Sequence, residues 1–445
     1  MAGEWQRKAF GDCATLVRET VLPEEARGLP YIGLEHIAEG SLSLITFGSA
    51  DDVTSIKLHF RRNDILFGKL RPYFRKVIRA PFDGICSTDI WVVRPKNGID
   101  ATFLFYWMAS PEFIDAATRG SEGTKMPRAQ WEFVSRITQP VPPLSEQRAI
   151  ARILGTLDDK IELNRRMNET VEQMARAIFK SWFVDFDPVI DNALRARNPI
   201  PSVLAEKAAR RRELLARAKS EGRDTCFPKH IAALFPDRFV DSELGPIPAG
   251  WRVGKLSDLC STQYGYTASA VDESIGPKLL RVTDINKRDW IEWNEVPHCA
   301  IDPDIKEFYA LQVGDLVVAR MADPGRSAII EEEVDAVFAS YLVRLKTESL
   351  AHSYYIIGFL KSALYAEYVA GAKSGSVQAS MNAKVIVGAD LVVPPIKVME
   401  KFLEAVLPFR QRLMANLRES GTLTYLRDSL LPKLVSGNIR LKNPY

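Results

Sequence analysis

A chain that says the same thing twice, half its length apart, must fold each copy around the same core, and this one does so. Its opening "EWQRKAFGD" returns as "GWRVGKLSD", placing Trp5, Phe10 and Asp12 against Trp251, Leu256 and Asp258. "YIGLEHI" (Tyr31–Ile37) is answered by "LLRVTDI" (Leu279–Ile285), and "NDILFGKLRP" (Asn63–Pro72) by "GDLVVARMAD" (Gly314–Asp323). Each of the latter is a turn-forming pair, an apolar run of strand length and a basic residue where the strand should end. "STDIWVVRP" and "ASYLVRL" predict further strands and set Arg94 opposite Arg344. Helical stretches follow at Pro111–Arg119, with Ser110–Pro111 as N-cap and first helical residue, and at Ser353–Val369. The loops "GSEGTKMPR" and "AKSGSVQAS" come next, and each copy closes on a Pro-Pro pair, Pro142–Pro143 and Pro394–Pro395. The offset drifts only from 246 to 252. The reading is two copies of one α/β domain within an α+β chain.

After each Pro-Pro pair the pattern changes to a long helix. With Ser145 as its N-cap, the first carries Ile150, Leu157, Asn164, Val171 and Ile178 at seven-residue steps, with Leu154, Ile161 and Trp182 beside them. Adding 252, which is 36 heptads, gives Phe402, Phe409, Asn416, Leu423 and Leu430, flanked by Val406 and Leu413. Both stripes are interrupted by asparagine at the same step, a residue that sets register and partner in a heptad seam at some cost in stability. The stripes predict that the two helices pair antiparallel as a coiled coil; the alternative is that each packs on its own domain. The boundaries expected are 1–143 for the first domain, 144–183 for the first helix and 184–245 for a connector with a basic helix (Ala205–Ser220). The second domain then spans 246–395, the second helix 396–436 and a tail 437–445.

Composition narrows the chemistry. The formal charge of +3 means that any nucleic-acid face is a local patch. Five scattered cysteines without a C-x-x-C pair argue against a zinc module or a disulfide framework, and no apolar run reaches bilayer length. With no signal-peptide pattern at the N-terminus, a cytoplasmic location is expected. No phosphate-loop motif is present, and His36, His59, His230, His298 and His352 have no metal-ligand spacing. Asp185 and Asp187 in "DFDP" resemble a metal-binding pair but read better as a turn that ends the long helix before Pro188. "DDK" at Asp158–Lys160 reads as a solvated helix face, and the final "NPY" (Asn443–Tyr445) has no room to enclose a base. No catalytic residue is expected.

Charge patterning gives the candidate site. From Arg61 to Ala80 there are seven basic residues against one acid, with Phe67, Tyr73 and Phe74 interleaved. Arg61, Arg62, Lys69, Arg71, Tyr73, Arg75 and Lys76 are therefore candidates for phosphate and base contacts, joined by Thr124, Lys125 and Arg128 from the following loop. The second copy offers Arg281, Arg320, Arg326, Lys373, Ser376 and Gln378. The competing reading of such a patch is a solvated basic edge strand.

"PPLSEQRAIARILGTLDDKIELN", "FKSWFVDFDP", "LFPDRFVDSELGPIPAGW" and "LRDSLLPKLVSG" resemble the specificity subunit of type I restriction–modification enzymes, and the likeness covers essentially the whole chain. One departure is "PPIKVMEKF" at the entry to the second helix. The resemblance implies two target-recognition domains joined by two long helices in an antiparallel coiled coil, reading a split DNA sequence. It also implies two methyltransferase subunits docked on the helices and two restriction/translocase subunits for cleavage. S-adenosylmethionine, ATP and Mg2+ would serve those partners, with no cofactor on this chain and no membrane partner. Diverged copies allow an asymmetric site. The seam from Ile150 to Ile178 would be roughly 42 Å long at about 1.5 Å per residue, matching an unread spacer of roughly 12 base pairs. Two other functions compete: a stand-alone DNA-binding methyltransferase, and an assembly scaffold whose domains bind protein.

Overall fold

The computed structural model describes residues 4–222, 227–373 and 380–441, without the side chain of Lys373. The chain divides into two compact units, residues 1–164 with 419–445, and residues 165–418.

The repeat is visible strand by strand. In the first unit an antiparallel sheet runs in the order Ala14–Val17, Ile90–Pro95, Ile65–Gly68, Val77–Arg79. In the second the order is Cys260–Tyr264, Leu342–Thr347, Leu316–Ala319, Ser327–Ile329. The central strands are apolar on both faces: Ile90, Val92 and Val93, and Leu342, Val343 and Leu345, are all fully buried. Each such side chain contributes about 1.5–3 kcal/mol. A short parallel pair also recurs, Pro30–Ile32 on Gly84–Cys86 and Lys278–Leu280 on Ala336–Phe338. So does the pairing of the first strand with the last before the long helix, Gln6–Ala9 with Thr138–Val141 and Arg252–Lys255 with Asp390–Val393.

A second matched feature is electrostatic. Asp64 accepts the Arg61 backbone N–H at 2.8 Å and holds Arg94 through Nε and Nη2 at 2.7 and 2.8 Å. Asp315 accepts the Gln312 N–H at 3.0 Å and holds Arg344 Nη1 at 3.2 Å. One carboxylate thus closes the turn and fixes a sheet arginine in both copies, but not from the same position. Ile65 pairs with Val93 and Leu316 with Leu345, so Lys346 stands where Arg94 does and Arg344 takes the place of Val92. The turn pair is plain in the sequence; the partnership, and the two-residue displacement of the arginines that the sequence sets opposite each other, are not.

Helices differ in detail from expectation. Ser110 caps Pro111–Arg119, its Oγ accepting from the Phe113 N–H at 3.3 Å, but a helix at Ala101–Ala109 precedes it. The single stretch expected at Ser353–Val369 is two helices, Leu350–Leu360 and Ala363–Lys373, broken where the Ser362 hydroxyl donates to the Phe359 carbonyl at 2.7 Å. Gly358 sits against Phe179, and a Cβ there would come within 2.2 Å of that ring. The first long helix, Leu144–Phe179, is entered through the Pro143 carbonyl, which accepts from Glu146 and Gln147 at 2.9 and 3.0 Å. Ser145 therefore lies inside the first turn and is not the cap. The second, Ile396–Val435, is entered the same way, Pro395 accepting from Val398 and Met399. The departure in "PPIKVMEKF" leaves that geometry unchanged.

In each unit a stretch of one long helix meets a stretch of the other with residue numbers running in opposite senses. In the first unit Asp158 meets Arg427 at 2.7 Å and Asn164 meets Glu419 and Ser420 at 2.8 and 3.3 Å. In the second unit Asn168 meets Asn416 at 2.8 Å, Glu172 meets Arg410, and the Phe179 and Phe402 rings lie 5.8 Å apart. Ile150, Leu154, Asn164, Val171, Phe402, Val406, Leu413 and Asn416 are buried, while Leu157, Ile161, Ile178, Phe409, Leu423 and Leu430 are half-buried. The two asparagines of the stripe take partners in different units: Asn164 pairs with Glu419 and Ser420, Asn416 with Asn168.

One expectation about a charged residue needs revision. Asp158 of "DDK" is no solvated face: it accepts the Tyr106 hydroxyl at 2.6 Å as well as Arg427. The basic helix Ala205–Ser220 is anchored by Arg211, which is buried and paired with Asp191. Asp185 and Asp187 do lie where the long helix ends. Asp185 pairs with Lys207 at 2.8 Å, Asp187 accepts from Ser181 at 2.7 Å, and Phe186 between them is left-handed at φ 56°.

Candidate nucleic-acid interface

At one edge of the first unit's sheet, the turn after Ile65–Gly68 meets the loop that carries Thr124 to Arg128. The Lys69 N–H donates to the Asp89 carbonyl at 2.9 Å, and the Lys69 carbonyl accepts from Ala129 at 2.9 Å. Arg71, left-handed at φ 51°, donates its N–H to the Pro127 carbonyl at 2.7 Å and Nη2 to the Lys125 carbonyl at 3.4 Å. A left-handed non-glycine residue is uncommon, and the strain is held here by hydrogen bonds on both sides. Arg128 lies bidentate on Asp89, Nε to Oδ1 at 2.9 Å and Nη2 to Oδ2 at 3.3 Å. Arg128 remains 43% exposed at its side chain, and hydrogen bonding to Asp89 raises its pKa. Tyr73, Thr124 and Lys125 are exposed, Lys69 and Arg71 half-buried.

The second unit builds the same frame. The Arg320 N–H donates to the Tyr341 carbonyl at 2.9 Å, and the Arg320 carbonyl accepts from Met381 at 2.8 Å. The Arg320 guanidinium lies over the Tyr264 ring, 5.1 Å from its centroid, and the Tyr264 hydroxyl accepts from the Ala383 N–H at 3.0 Å. Tyr341 is exposed.

The structure separates the sequence candidates into two groups. Arg61 and Arg62 are exposed at the turn near Asp64, their backbone N–H groups bonded to Asp64 and Asp83 at 2.8 and 2.6 Å. Together with Lys69, Arg71, Tyr73, Thr124, Lys125, Arg128 and Arg320 they have side chains open, in part or in full, to a ligand. The remaining described candidates spend donors inside the chain, though Arg281 keeps a side chain 38% exposed, close to that of Arg128. Arg75 donates to the Ala109 carbonyl at 2.9 Å and to Asp428 at 3.2 Å. Lys76 donates to the Leu34 carbonyl at 2.8 Å, and Arg281 is bidentate on Asp284 at 2.9 and 3.0 Å. Arg326 donates to the carbonyls of Ile285 and Arg288 at 2.9 and 2.8 Å. Ser376, Gln378 and the Lys373 side chain lie outside the described residues. Sequence reasoning missed Asp89, Tyr264 and Tyr341, although alignment of the copies sets Asp89 against Tyr341.

Among the described residues no group of three or more His, Cys, Asp or Glu side chains could hold a metal ion. No described helix is long and apolar enough to cross a membrane.

Residues 4–173 match the family model described as the type I restriction modification DNA specificity domain. The HindI type I restriction enzyme specificity subunit of Haemophilus influenzae is 25% identical over 406 residues, covering 86% of this chain and 88% of its own. The EcoDI specificity subunit of Escherichia coli is 31% identical over 231 residues, 48% of this chain and 52% of its own. The crystal structure of a type I restriction–modification system S subunit from M. genitalium shares the fold. Its TM-score is 0.51 at 15% identity, over 97% of this chain and 96% of that one. The chain as a whole is similar to specificity subunits of type I restriction enzymes.

Proposed function

We propose that the chain reads a bipartite, asymmetric DNA site for a type I restriction–modification complex, each domain reading one segment on either side of an unread spacer. It breaks no bond itself. The two long helices pair as an antiparallel coiled coil and dock two methyltransferase subunits, with two restriction/translocase subunits joining for cleavage. S-adenosylmethionine, ATP and Mg2+ serve those partners. Adenine methylation belongs to the methyltransferase, which takes its target base out of the stack.

One observation carries this reading. The same backbone frame is built twice, with Lys69, Arg71, Lys125 and Arg128 around it in the first copy and Arg320 on it in the second, so the two copies carry different side chains on one frame. Phosphate contacts position a protein on a duplex and base contacts specify the sequence, so such an edge supplies both.

The test is DNA binding by the full chain with its methyltransferase partner, across a salt series. Arg71→Ala with Lys125→Ala is expected to weaken binding and to reduce the slope of log K against log salt by about 2, roughly 1 for each phosphate contact removed. Arg75 is left intact because its contacts with Ala109 and Asp428 are structural. An unchanged affinity and slope would take this edge out of the reading.

A further inference from the structure

The duplication lets one copy serve as the control for the other. Where both copies need the same thing, the same pairing is kept: Asp64 with Arg94, Asp315 with Arg344, although the two arginines stand two register positions apart. At the sheet edge the backbone bonds are kept and the side chains are not. The strand-end N–H reaches the carbonyl of Asp89 in one copy and of Tyr341 in the other, at 2.9 Å in both. The strand-end residue is Lys69 in one and Arg320 in the other. Offset by 252, Arg128 faces Ser380; offset by 246, Arg18 faces Tyr264. A frame held constant beneath side chains that change charge and size is what two readers of different sequences require.

At this strand end each copy nevertheless presents a pinned guanidinium, from a different position. In the first, Asp89 grips the Nε/Nη2 edge of Arg128. In the second, the Tyr264 ring lies beneath Arg320, and that ring is itself fixed by the Ala383 N–H on its hydroxyl. Freezing an arginine before it binds removes the entropy cost of ordering its long side chain on contact. An arginine fork offered to the major groove pairs bidentate with the O6 and N7 of guanine.

Building on the proposed function, we propose that Arg128 and Arg320 are the specificity-determining residues of the two copies. Each reads a guanine in its own half of the split site, with Asp89 and Tyr264 as positioning residues. Tyr341, exposed beside Arg320, adds an aromatic contact to the second half.

The test is an adenine-methylation map of a host lacking the native gene, supplied with the full chain or a variant together with its methyltransferase partner. Arg128→Ala is expected to relax one guanine in one half of the motif, with about 10-fold or more loss of discrimination there, and to leave the other half intact. Arg320→Ala should do the converse. Arg128→Gln and Arg320→Gln should shift the preferred base from guanine toward adenine, the pairing a side-chain amide makes. They also serve should an alanine variant abolish methylation. Asp89→Asn and Tyr264→Ala should loosen the same positions as Arg128 and Arg320 respectively, an effect that a purely structural role would not confine to one base. If the glutamine variants methylate the native motif, or if one variant alters both halves, the assignment is overturned. A native chain that directs no two-part motif overturns the underlying reading, and this one with it.

Discussion

Arg427→Ala is expected to cost the full chain roughly 3–5 kcal/mol, read as a lower urea midpoint at unchanged slope. The Arg427 side chain is 1% exposed, and its guanidinium pairs with Asp158 at 2.7 Å and Asp428 at 3.1 Å. Asp158 in turn accepts from Tyr106, on the helix Ala101–Ala109 that belongs to the recognition domain. Alanine leaves that carboxylate half-buried and without its cation, and opens a void where the arginine stem was. Adding Asp158→Asn should recover much of the loss, since it removes the orphaned charge. A loss below about 1 kcal/mol would mean that the cluster is solvated and that its contribution is that of a surface ion pair.

In the second unit the corresponding effect depends on pH. Glu172 is buried beneath Lys361 at 2.8 Å and Arg410, and Arg410 also pairs with Glu331, which accepts from Tyr354 at 2.8 Å. Burial alone would raise the Glu172 pKa; Lys361 and Arg410 outweigh it and bring the carboxyl down to about 2. A carboxylate whose folded pKa is depressed contributes stability above its unfolded pKa and loses it as pH falls through the folded value. Glu172→Gln is therefore expected to cost roughly 3–5 kcal/mol near neutral pH, leaving Lys361 buried without its counter-charge. The gap between native and variant should close between about pH 4.5 and 2. Urea unfolding of both proteins across that range checks it, and a gap that stays constant with pH would show that the carboxylate charge is not what holds the cluster.

Both clusters place a cation of the second long helix against an acid of the first, and this is where sequence reading ran short. The heptad stripe could be followed because apolar periodicity is a local property, and Ile150, Leu154, Leu413 and Asn416 are buried as periodicity alone requires. The charged residues between stripe positions look like solvated surface in sequence. Their partners lie far along the chain, Glu172 from Arg410 and Asp158 from Arg427, and no local pattern announces such a pair. The basic run Arg61–Ala80 shows the converse. Seven basic residues read as one patch, yet Arg75 and Lys76 spend their donors on backbone carbonyls, while Arg71 and Tyr73 beside them remain at the edge. Composition located the segment; the hydrogen bonds sort its members. That the two copies share one fold was legible, because a duplicated chain supplies its own alignment; the order of the strands was not, because pairing across a sheet is set by partners far along the chain.

The most direct test of the account is an adenine-methylation map of a host that expresses the partner methyltransferase, with this gene intact and with it deleted. The expected result is that one motif, two short segments separated by a fixed unread spacer, loses its methylation on deletion and regains it on complementation. Methylation that is the same with and without the gene, at every motif, would contradict it.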